Sequence, residues 1–202
     1  DHRDLHSFPT RRSSDLMLRI KKAENNLIGY IFCAGKGERL EGINGTLPKP
    51  IFLKKDGLSF LDLNILNLKN LGIKEIFVNY SFNKKAFDEI IKQYPDLDIK
   101  LIYEESPLGQ GRSLVNLIDN CKTALNIHYI YACNGDTLCQ FRAKDFVKKS
   151  IPISGITILS TKSEKFLIEN IICDNLKNVL GIRGEKDYFY KNLSTRDIHL
   201  YS

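Results

Sequence analysis

Apolar and polar positions along the chain alternate between two rhythms. Leu27–Cys33 (LIGYIFC) is a nearly unbroken apolar run, the pattern of a strand buried on both faces. Leu58, Leu61, Ile65, Leu68 and Leu71 then recur every three or four residues, and Gly72 closes this helical stripe. Glu75–Tyr80 reads as a second strand, and residues 84–94 as a short helix stopped before Pro95. Residues 99–105 (IKLIYEE, from Ile99) form a third strand. Leu114, Leu117, Ile118, Cys121 and Leu125 share one side of a predicted helix over 111–125. Ile127–Cys133 is a fourth strand ending in Asn-Gly-Asp, and residues 153–160 a fifth. Beyond residue 160 the pattern changes to two strands around a turn at Asp174–Asn178, an antiparallel excursion.

Strand–helix alternation at this spacing predicts an α/β fold, a Rossmann-like three-layer α/β/α arrangement with a mostly parallel sheet. Ligands of such sheets bind beyond the carboxyl ends of the strands. Three polar or glycine-rich segments fall there: the turn after Cys33, Glu104–Gly111, and the Asn-Gly-Asp of residues 134–136.

Composition narrows the function classes. With 43% hydrophobic residues the chain can bury a core, and no apolar run approaches the ~18 residues of a membrane span. The first residues are polar and charged, unlike a secretory signal. Cys33, Cys121, Cys133, Cys139 and Cys173 include no CxxC pair, the usage of reduced thiols in a cytoplasmic protein. The net charge is +6, but the lysines are scattered, which argues against nucleic-acid binding and for small anionic partners. Neither a nucleic acid nor a membrane is expected as partner, and a homo-oligomer stays open. Residues 1–16 (DHRDLHSFPTRRSSDL) read as a translated sequencing adapter ahead of Met17, the sole methionine, and are set aside from the fold.

Gly35-Lys36-Gly37-Glu38-Arg39-Leu40 lacks the third glycine of a dinucleotide fingerprint, and it is no P-loop. It remains a small-residue turn whose backbone N–H groups can face an anion. Pro48 and Pro50 stiffen the chain around Lys49, presenting one ammonium group on an extended segment.

Together, G-x-G-x-R-L, the Pro-Lys-Pro ten residues on, Glu105-Ser-Pro-Leu-Gly-Gln-Gly and Asn-Gly-Asp resemble the sugar-phosphate nucleotidyltransferases. These make a nucleotide-sugar and pyrophosphate from a nucleoside triphosphate and a sugar 1-phosphate, the supply for cell-surface polysaccharide among other uses. The resemblance runs from about Leu27 to Ser202, within a domain over 17–202 that is incomplete at its C-terminus. It implies that Arg39 contacts the leaving pyrophosphate and Lys49 the α-phosphate and the incoming phosphate. Asp136 would hold Mg²⁺, and the Ala34, Gly35 and Gly37 backbone would line the nucleotide. Glu104, Gly109 and Gln110 would line the base pocket. Glu185 and Lys186 would bind the sugar phosphate. A carboxylate at Glu104 facing the base accepts two donors from guanine and one from uracil, so GTP is favoured, then UTP.

The chain departs from the family pattern at Glu38, Glu41, Gly42, Gln110 and Arg112, and it ends before the family's second metal-binding aspartate. Two other functions fit the same fold: a cytidylyltransferase for phosphocholine or a molybdenum cofactor, and a noncatalytic nucleotide- or sugar-binding regulatory module.

Overall fold

The computed structural model describes residues 26–40, 42–43, 45–120, 129–139, 143–150, 156–159, 170–173, 179–183 and 198–201. Two compact units emerge, one of residues 21–141 and one of residues 1–20 with 142–202.

The first unit is built on a parallel sheet of four strands: β1 (Leu27–Phe32), β4 (Glu75–Tyr80), β5 (Asp98–Tyr103) and β6 (Tyr129–Asn134). Their order is β5-β4-β1-β6, so the chain steps outward from β1 on one side and returns to pair on its other side. That reversal puts a switch point between the carboxyl ends of β1 and β6, where a crevice opens in sheets of this kind. β1 pairs with β6 from Leu27↔Tyr129 to Phe32↔Asn134, and with β4 from Gly29↔Ile76 to Phe32↔Asn79.

Helices cover both faces. On one, Ile31, Ile76 and Val78 of the sheet pack with Leu61, Ile65 and Leu68 of α2 (Phe60–Asn70) and with Phe87 and Ile90 of α3 (Lys84–Ile91). On the other, Ile28, Tyr30 and Phe77 pack with Leu117 of α4 (Gln110–Asn120). The alternation along β1 and β4 sorts these two cores, as strand side chains must point to opposite faces. Gly29 lets α2 approach: a Cβ there would stand 2.7 Å from Leu68 Cδ1. At the sheet's β5 side, Lys100 bridges Glu75 at 2.7 Å and Asp98 at 3.0 Å.

The connection from β1 to α2 differs from the expected extended segment. Lys49 opens a short helix, α1 (Lys49–Phe52), with Pro48 as its N-cap. Proline is tolerated at a first helical turn because its missing N–H would have no intrahelical partner. Pro48 and Pro50 are buried, so the lysine between them stands on anchored backbone. A hairpin of β2 (Lys54–Lys55) and β3 (Leu58–Ser59) follows, turning at Asp56 and Gly57 with φ of 52° and 84°. Both positive φ values match the Asp-Gly turn that suits a two-residue hairpin. Ser59 then caps α2 in a capping box with Asp62: Ser59 Oγ accepts from Asp62 N, and Asp62 Oδ2 accepts from Ser59 N at 2.9 Å. Tyr94 Oη donates to the other oxygen, Oδ1, at 2.8 Å.

The second unit contains α5 (Ala143–Ser150), a parallel pair of β7 (Ile156–Leu159) and β10 (Ile198–Tyr201), and an antiparallel pair of β8 (Asn170–Cys173) and β9 (Val179–Arg183). The expected antiparallel pair beyond residue 160 is thus present, while residues 174–178 lie outside the described residues.

Leu68 lies fully buried against β1 where Gly29 makes room for it. Leu68→Ala should destabilise the fold by about 2–5 kcal/mol, the range for a core leucine truncation. Urea denaturation followed by circular dichroism checks this.

Candidate active site

Lys49 and Asp136, 87 residues apart, meet at the switch point. Lys49 Nζ lies 2.7 Å from Asp136 Oδ2, with each side chain about a third exposed. Such a pair is bridged by attraction yet open to a ligand, and at this exposure it adds little to stability. Gly37, with φ of 68°, brings the glycine turn against α1: a Cβ there would stand 3.4 Å from Lys49 Cβ. The turn after β1, the start of α1 and the turn after β6 therefore share one locus.

Two buried asparagines hold these turns. Asn79, at the end of β4, accepts through Oδ1 from Cys33 N and from Ala34 N, the latter at 3.2 Å. Its Nδ2 donates to Glu104 Oε1 at 2.9 Å and to Ser113 Oγ at 3.3 Å. Ser81 Oγ donates to Ala34 O at 2.8 Å. After the turn, Arg39 lies in a 3₁₀ segment, Glu38–Leu40, closed by Leu40 N donating to Gly37 O at 2.8 Å. The Arg39 side chain lies outside what the structure describes.

Asn64, on α2, holds the acidic turn. Its Nδ2 lies 3.3 Å from the carbonyl oxygens of Asn134, Gly135 and Thr137, and 3.0 Å from that of Phe60. Gly135 N donates to Phe32 O at 2.9 Å, tying the turn to β1. A Cβ on Gly135 would lie 2.4 Å from Cys33 Sγ, 3.1 Å from Phe32 O and 3.2 Å from Pro50 Cβ. Only glycine fits there, and its compactness keeps Asp136 beside Lys49. Gln110, at the start of α4, donates through Nε2 to Asn134 Oδ1 at 2.7 Å. Gly109 before it has φ of 81°, a left-handed geometry suited to glycine.

Glu104 differs from expectation. Rather than standing open toward a base, it is 3% exposed. One of its oxygens accepts from Asn79 and the other from Leu108 N, at 3.3 Å. β5 ends at Tyr103, so Glu104 begins the loop and turns inward. Buried carboxyl groups need internal partners, and these donors supply them. Glu185 and Lys186 lie outside the described residues, as do residues 1–16.

Burial pushes the Cys33 thiol well above its ordinary range, with Cys133 and Asp136 adding to the effect. Burial, and then Cys139, push Cys133 up to about 12. Both thiols near the acidic turn are therefore protonated at neutral pH and are packing groups, not nucleophiles.

Asp136 fits a magnesium ion by its donor chemistry. It offers hard carboxylate oxygens, and among the described residues no group of three His, Cys, Asp or Glu could form an all-protein metal cage. One carboxylate plus substrate phosphates and water is the mode in which Mg²⁺ is commonly held.

The family described as "Nucleotidyl transferase" matches residues 28–165. The chain belongs to the nucleotidyl transferase family. The chain is 26% identical over 108 residues to the N-acetylmuramate alpha-1-phosphate uridylyltransferase of Neisseria meningitidis serogroup B, a match covering 54% of the chain and 46% of that relative. The matched region thus spans about half the length of the relative. HddC from Yersinia pseudotuberculosis, solved in complex with GMP-PN, is 25% identical with a TM-score of 0.57, covering 76% of this chain and 67% of that one. The CTP:phosphocholine cytidylyltransferase LicC from Streptococcus pneumoniae shares the fold at 18% identity and a TM-score of 0.59, over 78% of this chain and 64% of that one.

The residues that tie the site together, Asn64, Asn79 and Ser81, escape sequence reasoning. Asn64 and Asn79 sit in elements whose apolar pattern explains them, Ser81 follows the end of β4, and nothing local marks any of the three for a tertiary hydrogen bond.

Gly135→Ala should destabilise the protein by about 1–3 kcal/mol, the scale of an overpacked contact. The decrease in Tm by calorimetry measures it, and a variant as stable as the parent would mean the turn can move. Separately, iodoacetamide at pH 8 should modify exposed Cys139 while leaving Cys33 and Cys133 intact until the protein is unfolded. Peptide mass spectrometry reads the three sites individually.

Proposed function

We propose that the protein joins a nucleoside triphosphate to a sugar 1-phosphate, forming a nucleotide-sugar and releasing pyrophosphate. The observation that carries this reading is the Lys49–Asp136 contact at 2.7 Å, beside the glycine turn at the sheet's switch point. A cation, an acid suited to a metal and a backbone concavity together meet the needs of a triphosphate.

In the proposed reaction, a phosphate oxygen of the sugar 1-phosphate attacks the α-phosphorus. The new O–P bond forms as the bond to the β-phosphate oxygen breaks, and pyrophosphate leaves with that electron pair. The attacking phosphate is already ionised near neutral pH, so no residue need act as general base. The protein's task is positioning and charge compensation. Lys49 offsets the repulsion between the incoming phosphate and the α-phosphate, and Arg39 serves the leaving pyrophosphate. Asp136 holds Mg²⁺, which when bound neutralises phosphate charge. Gly35 and Gly37 let the backbone approach the phosphates, with Ala34 at the root of the turn. Gly109 and Gln110 border the base, and Glu185 and Lys186 bind the sugar phosphate.

For the base, we favour GTP and then UTP. The first is supported by the likeness to HddC with its GMP-PN. The second is supported by the likeness to a uridylyltransferase. The Glu104 argument for guanine loses its force, because both oxygens of that group have internal partners.

Pyrophosphate release from five nucleoside triphosphates against a panel of sugar 1-phosphates tests the reaction. Lys49→Ala and Asp136→Ala should each lower kcat/KM by about 100-fold or more, since one such electrostatic group is worth about 2.7–4 kcal/mol at the transition state. Near-normal release by either variant rejects its role. Nucleotide binding without release by the parent protein would favour a regulatory module instead.

A further inference from the structure

Asn79 belongs to no motif, and β4, which carries it, ends in none. Yet β4 lies between β1 and β5, the two strands whose loops carry the glycine turn and the 104–110 segment. In register, Asn79 pairs with Phe32 on one side and Ile102 on the other. Its side chain points to the α4 face, where it meets Ser113.

We propose that Asn79, with Glu104 as its partner, is a positioning residue that locks the two nucleotide loops into one geometry. On this view Glu104 sets loop position and does not read the base. The inference rests on the proposed nucleotidyl transfer.

The connectivity carries the case. One amide oxygen takes two successive backbone N–H groups, those of Cys33 and Ala34, and so fixes the direction in which the chain leaves β1. The nitrogen of the same amide donates to Glu104 Oε1. Glu104 Oε2 takes the N–H of Leu108, the residue before the left-handed Gly109 that leads into α4. Glu104 N donates to Tyr80 O at 2.8 Å, which holds the root of that loop. A continuous path therefore runs from the glycine turn to the second loop through two side chains. Asn79, Glu104 and Ser113 are 2%, 3% and 1% exposed, so water does not replace these bonds.

The chemistry is specific to an amide facing a carboxyl group. An aspartate at 79 keeps the acceptor for Cys33 and Ala34 but sets acid against acid. A glutamine at 104 restores a donor from the opposite side. Because the path positions backbone and touches no base edge, its loss should weaken all nucleotides alike.

The test compares Asn79→Asp, Glu104→Gln and the double variant with the parent protein. Amide hydrogen exchange at Cys33, Ala34 and Leu108 is read by NMR without nucleotide. Dissociation constants for GTP and UTP, with Mg²⁺, are read by calorimetry. Asn79→Asp should speed exchange at these amides and weaken both nucleotides by about tenfold, the scale of one lost hydrogen bond to a charged group. The double variant should return both readouts to within about threefold of the parent, as a restored pair requires. A single variant that fails to fold while the double variant folds also supports the pairing. Unchanged exchange in Asn79→Asp, a loss confined to one base, or a double variant that is not rescued overturns it. Exchange needs no ligand, so a protein that binds neither nucleotide would sink the functional reading while leaving this one to stand or fall on the amides.

Discussion

β1 is hydrogen-bonded along both edges, to β4 from Gly29 to Phe32 and to β6 from Leu27 to Phe32. Both of its faces are covered, Ile31 by the α2–α3 core and Ile28 and Tyr30 by the α4 core. A strand enclosed on four sides cannot slip by one residue without exchanging its two apolar sets. That fixed register decides where the chain leaves the sheet, and so where the glycine turn begins. The turn after β6 inherits the same reference through the bond from Gly135 N to Phe32 O. Lys49 meets Asp136 because both are hung from one strand end.

Amides do much of the holding beneath the site. Asn64 and Asn79 are both buried; Asn64 ties the turn after β6 to α2, and Asn79 joins the loops that follow β1 and β5. An amide donates and accepts without adding charge near phosphates, and its bonds strengthen in the low dielectric of the interior. The charged groups Lys49 and Asp136 sit further out, each about a third exposed. The arrangement separates stiffness, supplied from beneath, from charge, presented at the surface.

Sequence patterning revealed the sheet well because parallel strands are read from short apolar runs between polar ends. Glu75–Tyr80 has the bounds that its pattern predicts, and β8 and β9 pair antiparallel as the pattern beyond residue 160 predicts. The switch-point motifs were legible because glycine, proline and an acid at strand ends have few structural reasons to occur together. Prolines on both sides of Lys49 mark a stiffened segment but mask a helix that needs only one turn. The Asp56-Gly57 hairpin went unseen beside the longer stripe of α2, although that dipeptide signals such a turn. Glu104 could not be placed by its position alone: whether a carboxyl group at a strand end faces a ligand or its own loop depends on a partner 25 residues away.

Gly135 carries a consequence for how this chain can diverge. Trimming Cys33 to a smaller residue would remove the 2.4 Å contact that a Cβ meets, but not the backbone oxygen of Phe32 at 3.1 Å or Pro50 Cβ at 3.2 Å. The obstacle is thus partly main chain, which no single neighbouring substitution can clear. A side chain at this position becomes acceptable only after the end of β1 and the start of α1 have both shifted, and those shifts would carry the glycine turn and Lys49 with them. The paths open to mutation here are therefore ordered, and the acidic turn is among the last features of the molecule free to drift.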